Sequence, residues 1–330
     1  MVDAPSSDQV LPQAPQTVVT LGAHVLDVQV RPVEAIPEGQ GAVLVDQIRF
    51  GPAGTAAGTA VTLAKLGATV RTAGAVGADP IGGLLLSMLA DHGIDTSLVV
   101  RRDAAQTSTS VLPIRPDGSR PAFHVPGANF AYTSDDAPYA DIERATHLHL
   151  GGPELMGGEH AAKILSAARA AGVVTSADLL APGEPGILDW IADALPYVGY
   201  LLPNDQQVLG LTGAATLEDG ARALVARGVG AVVVTREAAG ALVVTSEDVV
   251  AVPAFAVDVV DTTGCGDAFS AGFLRGIGLG RPLPDAARLG CAAAALVAQG
   301  LGSDHGEFDL AAADAFAATA ATLPTSPKPA

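Results

Sequence analysis

Asp261-Thr262-Thr263-Gly264-Cys265-Gly266-Asp267-Ala268-Phe269 is the stretch richest in chemistry. Strand-like residues Ala254–Val260 precede it, and a helical pattern through Ser270-Ala271-Gly272-Phe273-Leu274 follows. Gly264 to Gly266 can bring successive backbone N–H groups to one point at a helix N-terminus, where the helix dipole favours an anion without any basic side chain. Asp267 falls in the first turn, its carboxylate beside that point. Two readings stand here. Asp267 is a base next to an anion site, or it is an ordinary helix-capping residue.

Charge sharpens the question. Eighteen Lys and Arg against 35 Asp and Glu leave a formal net charge of −17, which repels a phosphate backbone at long range and argues against a nucleic-acid partner. An anionic ligand must therefore be held by local backbone donors or arrive with a metal ion. Hydrophobic residues at 49 % against 16 % charged exclude a disordered chain, and 330 residues suit one large α/β domain or two ordinary ones. No stretch supplies the ~20 consecutive apolar residues of a spanning helix, so no membrane partner is expected. The N-terminal residues carry no apolar secretion signal, and Cys265 and Cys291 are too few for a disulfide framework. A cytoplasmic location follows as an expectation.

Elements must position these residues. Thr17–Leu21, Val70–Ala75, His147–Leu150, Val173–Ala177, Tyr200–Leu202 and Ala231–Thr235 read as buried strands separated by Ala/Leu-rich helical stretches. The alternation predicts an α/β fold, a doubly wound, mostly parallel sheet flanked by helices, with ligands outside the C-terminal strand ends. Gly41–Phe50 and Ser108–Val125, the latter with an Asp117-Gly118 turn, predict a small β-layer that is a lid, a dimer contact or both. Residues 1–16 and 323–330 read as loose tails around a unit spanning 17–322, with lid strands from about 28–50 and 108–126. His147 and His149 share a strand face without a readable third metal ligand, and read as core histidines.

The stretch from Asp261 to Phe269 resembles the C-terminal signature of the ribokinase-like, or PfkB, family of carbohydrate and nucleoside kinases. Ala53-Gly54-Thr55-Ala56-Ala57-Gly58-Thr59, running on to Leu66-Gly67, resembles that family's N-terminal signature, and Gly74–Asp79, Gly82 and His92–Asp95 continue it in order. The resemblance covers about residues 16 to 320 and implies a ribokinase-like fold with a small β-sheet lid. It implies that Asp267 is the general base that takes a proton from a substrate hydroxyl attacking the γ-phosphate of ATP, with Gly264, Cys265 and Gly266 forming the anion hole. Asp27, Gly54, Thr55 and Gly58 would surround the substrate. Asn204, Thr235, Glu237 and Gly240 would line the nucleotide, the last three in a loop after a Val-Thr strand. The cofactors implied are ATP and Mg²⁺. A monovalent cation, K⁺, is implied at Asp261, Thr263 and Ser303, where an ordinary helix-ending loop is the other reading. A homodimer through the lid is implied as well. Gly127-Ala128-Asn129 resembles a turn of ribokinase-like members, and Asn129 alternatively only stabilises that turn.

Departures from the family pattern matter for substrate. Gly58 stands where much of the family has Asn, Glu237 where the nucleotide loop usually has Gly, and Asn204-Asp205-Gln206-Gln207 ends in Gln where the motif ends in Glu. Gln207 offers Mg²⁺ a water-bridged dipole in place of a charge, and Asp205 could compensate. The leading expectation is an ATP-dependent sugar kinase. A nucleoside kinase is the alternative within the fold; it would want a stacking ring, and Phe50, Phe123, Phe130 and Tyr132 fall in or near the lid. A non-catalytic sugar or nucleotide sensor is the alternative of another class, although a binder has no need of a base at Asp267. Arg120, after the hairpin turn, reads either as an anion contact or as a solvated residue. For Cys265, a reactive thiol of lowered pKa at a helix N-terminus and a sulfur packed beneath the loop are both open.

Overall fold

The structure is a computed structural model and describes residues 15–116 and 119–325. The Asp117-Gly118 turn and most of both predicted tails lie outside the described residues. Gln16 is not loose: it is buried, its amide donates to Leu274 O at 2.9 Å, and it accepts from Arg275 at 2.9 Å. Leu323 N likewise donates to Ala254 O.

Nine strands among the described residues form one sheet. They are β1 (Thr17–Gly22), β4 (Thr69–Gly77), β5 (Asp95–Arg102), β8 (His147–Gly151), β9 (Val174–Asp178), β10 (Tyr200–Leu201), β11 (Ala231–Thr235), β12 (Ala241–Val244) and β13 (Val249–Val252). Their order is β13-β12-β11-β10-β9-β8-β1-β4-β5, parallel throughout except for the antiparallel edge of β12 and β13. The mostly parallel doubly wound sheet is thus present.

Continuous apolar runs make these strands because both faces are covered. On β11, Val232 and Val234 pack into one core with Leu148, Leu150 and Ile164, while Val233 packs into the other with Val18, Val70 and Phe273. Each fully buried Leu or Val side chain contributes about 1.5–3 kcal/mol relative to exposure.

The helices are α1 (Ala57–Lys65), α2 (Pro80–Asp91), α3 (Tyr139–Ile142), α4 (Gly158–Ala170), α5 (Pro185–Trp190), α6 (Asp205–Thr212), α7 (Leu217–Ala226), α8 (Cys265–Gly278), α9 (Leu283–Val297) and α10 (Leu310–Thr319). Small residues let α8 and α9 approach closely: a side chain at Gly272 would meet Leu289 O at 2.7 Å. None of the described helices is long and apolar enough to cross a membrane.

A second sheet of four strands has the order β3-β2-β6-β7, from β2 (Val25–Arg31), β3 (Gln47–Ala53), β6 (Thr109–Pro113) and β7 (Phe123–Val125). The predicted hairpin is the antiparallel pair β6 and β7. Two boundaries differ from expectation. Residues 41–46 form no strand, so the segment expected from Gly41 pairs only from Gln47 onward. Ala254–Val260 is also not a strand: only Phe255 bridges, to Thr322, and Val259 stands 60 % exposed. Its β-branched residues lack a partner strand to pair with, and pairing decides strand formation more than propensity does.

Candidate active site

Two short crossings join the sheets. Residues 23–24 link β1 to β2, and residues 54–56 link β3 to α1, where Ala23 O accepts from Ala56 N and Ala57 N at 3.2 Å each. Asn129 braces the first crossing, taking His24 N at 3.0 Å and donating to His24 O at 3.1 Å. Asn129 therefore ties two loops together and does more than stabilise its own turn.

At the C-terminal strand ends lies a cavity of about 630 Å³. Thr55, Asn204, Gln207, Thr235, Glu237 and Gly240 line it together with Cys265, Gly266 and Asp267. Asp27, Gly54, Gly58, Gly264 and Asp205 do not line it, and the Asp205 carboxylate accepts from Gln206 N at 2.8 Å.

Gly264 starts α8 with φ of +75°, in the left-handed region, and a side chain there would strike Ser303 Cβ at 2.2 Å. The turn frees the first N–H groups of α8, which have no intrahelical acceptor, towards the cavity. Cys265 N is the exception, reaching Thr262 O at 3.3 Å. The Asp267 carboxylate accepts no hydrogen bond from the described residues and so does not cap α8. It keeps partial exposure through the cavity. Its pKa is held well above the usual carboxylate range, first by desolvation, then by Asp178 and Asp27 nearby, with Arg120 opposing. A carboxylate so raised is a stronger base towards a hydroxyl proton.

Asp27 is buried on β2, and burial pushes its pKa to about 6, against a hydrogen bond from Ser110 and the charge of Arg120. Thr55 Oγ1 is buried with no protein partner. Gly58, on α1, passes so near Asp267 that no side chain fits between them.

Asp178, which sequence reasoning missed, is a principal member of the site. It ends β9 inside the cavity, accepts from Ser270 Oγ at 2.9 Å and from Leu179 N at 2.8 Å, and is pushed up to about 7 by burial. Behind it, the buried Glu154 accepts from Leu180 N and Ala181 N at 2.7 Å each, while its Oε2 has no partner. An Asp directly after a predicted strand, at the sheet end where α/β folds bind ligands, was the available signal.

Gln207 and Asn204 form a capping box: Gln207 N donates to Asn204 Oδ1 at 2.8 Å, and Asn204 N to Gln207 Oε1 at 2.9 Å. Gln207 Nε2 then donates to Leu179 O at 3.0 Å and Ala181 O at 2.9 Å. Glu237 adopts φ of +48°, and Gly240 closes that loop with its N–H on Glu237 O.

Cys265 is half-buried in the cavity wall; its Sγ turns to Ala294 O at 3.6 Å, and burial, with Asp261 beside it, pushes the thiol up to about 12, which favours the packed sulfur over the reactive thiol. His147 and His149 are buried, both pushed down to about 4 by desolvation. No group of three or more His, Cys, Asp or Glu among the described residues is arranged to hold a metal.

Asp261 is buried, with Oδ1 accepting from Thr263 N and Oγ1 at 3.0 and 2.8 Å and Oδ2 from Gly302 N at 3.1 Å. Ser303 Oγ donates to Pro52 O. Arg120 reaches in from the hairpin, with Nε 3.7 Å from Asp261 Oδ1.

With this geometry in view, comparison with known proteins is specific. The family description "pfkB family carbohydrate kinase" matches residues 15–307. An ATP-dependent ribose-1-phosphate kinase of Halopiger xanaduensis is 32 % identical over 250 residues, 75 % of this chain and 80 % of that protein. Fructokinase-2 of Zea mays is 28 % identical over 256 residues, 73 % of this chain and 76 % of that one. The structure of Arabidopsis thaliana ribokinase complexed with ribose and ATP superposes with a TM-score of 0.79 at 24 % identity, covering 92 % of this chain and 99 % of that one.

Proposed function

The chain belongs to the pfkB family of carbohydrate kinases, phosphotransferases with an alcohol group as acceptor, and we propose that it moves the γ-phosphate of ATP onto a hydroxyl of a small sugar through Asp267. One observation carries the assignment of the base: a carboxylate free of capping duty stands beside the open N–H groups of α8 in a cavity at the sheet's C-terminal edge.

Asp267 accepts the hydroxyl proton as the sugar oxygen attacks the γ-phosphorus, and ADP leaves with the electron pair of the broken bond. The N–H groups of Gly266 and Asp267 take the charge on the transferred phosphoryl group, Cys265 N being held by Thr262 O. Asp27 and the backbone at Gly54 hold further hydroxyls. The unpartnered Thr55 Oγ1 supplies another contact, since a buried hydroxyl without a partner gains most from a polar ligand. The nucleotide lies along Asn204, Thr235, Glu237 and Gly240.

Mg²⁺ would be held beside Asp178, whose buried carboxyl lines the cavity and gains from a cation, with phosphates and water completing its shell. When bound, the ion neutralises phosphate charge. Gln207 and Asp205 were expected to reach it; the hydrogen bonds of Gln207 favour a clamp on the 179–181 loop instead. For K⁺, the Asp261 carboxylate already accepts three hydrogen bonds and lies 3.7 Å from Arg120 Nε, which weighs against an ion there.

The outer face of the small sheet supports a homodimer through the lid. Register places Phe50, Val28, Val111 and Phe123 in one row, with Phe50 and Phe123 48 % and 60 % exposed. Those rings face away from Asp27, which weighs against a stacked nucleoside base and towards a sugar. Two unpaired cysteines and the use of ATP support a cytoplasmic location, with residues 17–322 as the kinase unit.

An ADP-release screen with Mg-ATP across pentoses, hexoses, sugar phosphates, keto-deoxy acids and nucleosides tests the reading. A sugar preferred over nucleosides supports it. Nucleotide binding without turnover on any acceptor would point to the sensor.

A further inference from the structure

We propose that Arg120, carried on the hairpin of the small sheet, stands where the fold family draws on a monovalent cation, so that phosphoryl transfer by this chain is independent of K⁺. The proposal rests on the kinase reading above and concerns what balances the charge of Asp261.

The carboxylate expected to hold K⁺ is already engaged: both oxygens of Asp261 accept backbone N–H groups, Thr263 adds its hydroxyl, and the Arg120 guanidinium lies beside Oδ1. A carboxylate 1 % exposed still needs a counter-charge, and among the described residues Arg120 is the cation paired with it. The 3.7 Å separation makes this a contact of charges, with the shorter hydrogen bonds already supplied by Thr263 and Gly302. A K⁺ ion at the same carboxylate would face the guanidinium and be repelled.

The position has a wider effect. The charge of Arg120 also opposes the upward pKa shifts of Asp27, Asp267 and Cys265, so it is felt by those groups as well as by Asp261. Its side chain is 33 % exposed and comes from the loop between β6 and β7. The positive charge is therefore delivered by the small sheet, whereas an ion would be held by the large domain alone. Arg120 acts through Asp261 and is a positioning residue.

The test compares the full chain with Arg120→Ala and Arg120→Lys in potassium chloride and in tetramethylammonium chloride at equal concentration. Melting temperature is read without substrate, and ADP release with the best acceptor. The parent should show the same values in both salts. Arg120→Ala should lose at least about tenfold in kcat in tetramethylammonium and recover most of it in K⁺, with a K⁺-specific rise in Tm from mass action. Arg120→Lys should follow the parent. A parent activated severalfold by K⁺, or an Arg120→Ala variant indifferent to K⁺ in Tm and rate, overturns the proposal; in the second case Arg120 touches the phosphoryl group or nothing. The Tm comparison needs no acceptor, so failure of every acceptor would sink the kinase reading and leave this result standing.

Discussion

Gly58 and Asp267 share one space: a Cβ on Gly58 would lie 2.3 Å from Asp267 Oδ2 and 2.8 Å from its Cγ. The carboxylate occupies the volume that a side chain at position 58 would fill. An Asn there, common in the resembling family, is therefore incompatible with this placement of the Asp267 carboxylate.

Gly58→Ala should consequently reverse the usual rule that Ala stabilises a helix interior by about 1 kcal/mol over Gly. Asp267 must swing aside, and kcat should fall at least about tenfold, equivalent to about 1.4 kcal/mol of barrier. Steady-state kinetics beside a melting curve checks it: full activity in the variant would show that the base sits elsewhere during turnover.

Asp267→Asn keeps shape and removes basicity. It should lower kcat by about 10²–10⁴ while a non-hydrolysable ATP analogue binds as before. Turnover within a factor of about three of the parent would exclude Asp267 as the base.

The acids of the site set a pH trend in stability. Asp27 at about 6 and Asp178 at about 7 hold protons in the fold that they release near 3.8 when unfolded. The native state thus binds more protons across that window, so unfolding free energy falls as pH rises from about 4 towards 7, and the full penalty remains above it. Denaturant titrations across this range should show a shallower decline in Asp178→Asn. Parallel curves would mean that Asp178 titrates normally.

Gln207→Glu restores the resembling family's motif and should still be harmful. It sets carboxylate oxygen against Leu179 O and Ala181 O in place of two N–H donors. A loss of about 1–3 kcal/mol in unfolding free energy is expected. Unchanged stability with a lower Mg²⁺ requirement would return Gln207 to the metal.

Cys265 should resist iodoacetamide at neutral pH, because a thiol pushed up to about 12 carries little thiolate. Mass-spectrometric mapping of the native protein should show slow labelling of Cys265 that accelerates on unfolding.

Much of this site was legible because its backbone features are local. The turn at Gly264, Asp267 one turn later and the Thr55 loop are written in short motifs. The capping box of Asn204 and Gln207 was equally readable from its N-x-x-Q spacing, although only the fold reveals which carbonyls the spare amide protons reach. Asp178 was hidden because a single Asp after a strand has no pattern; the neighbouring strands and Ser270 on α8 give it meaning. Arg120 was undecidable from sequence, since its partner Asp261 lies far along the chain and only the fold brings the two within 3.7 Å. The segment 254–260 misled through its valines, which propensity favours for a strand that the sheet does not extend to include.

The two crossings between the sheets have a thermodynamic consequence. Ala23 accepts from Ala56 and Ala57 where both crossings meet, and Asp27, Gly54 and Thr55 lie within or directly beside them. The residues that join the small sheet to the large one are thus among those proposed to grip the acceptor, and any change in the sheet's pose would run through them. Acceptor binding and the pose of the small sheet then become one equilibrium, and the measured Kd of any sugar includes the population of the competent pose, rising in inverse proportion as that fraction falls. Substitutions of Phe50 and Phe123 on the outer face of the small sheet should then shift sugar affinity without touching a proposed sugar contact.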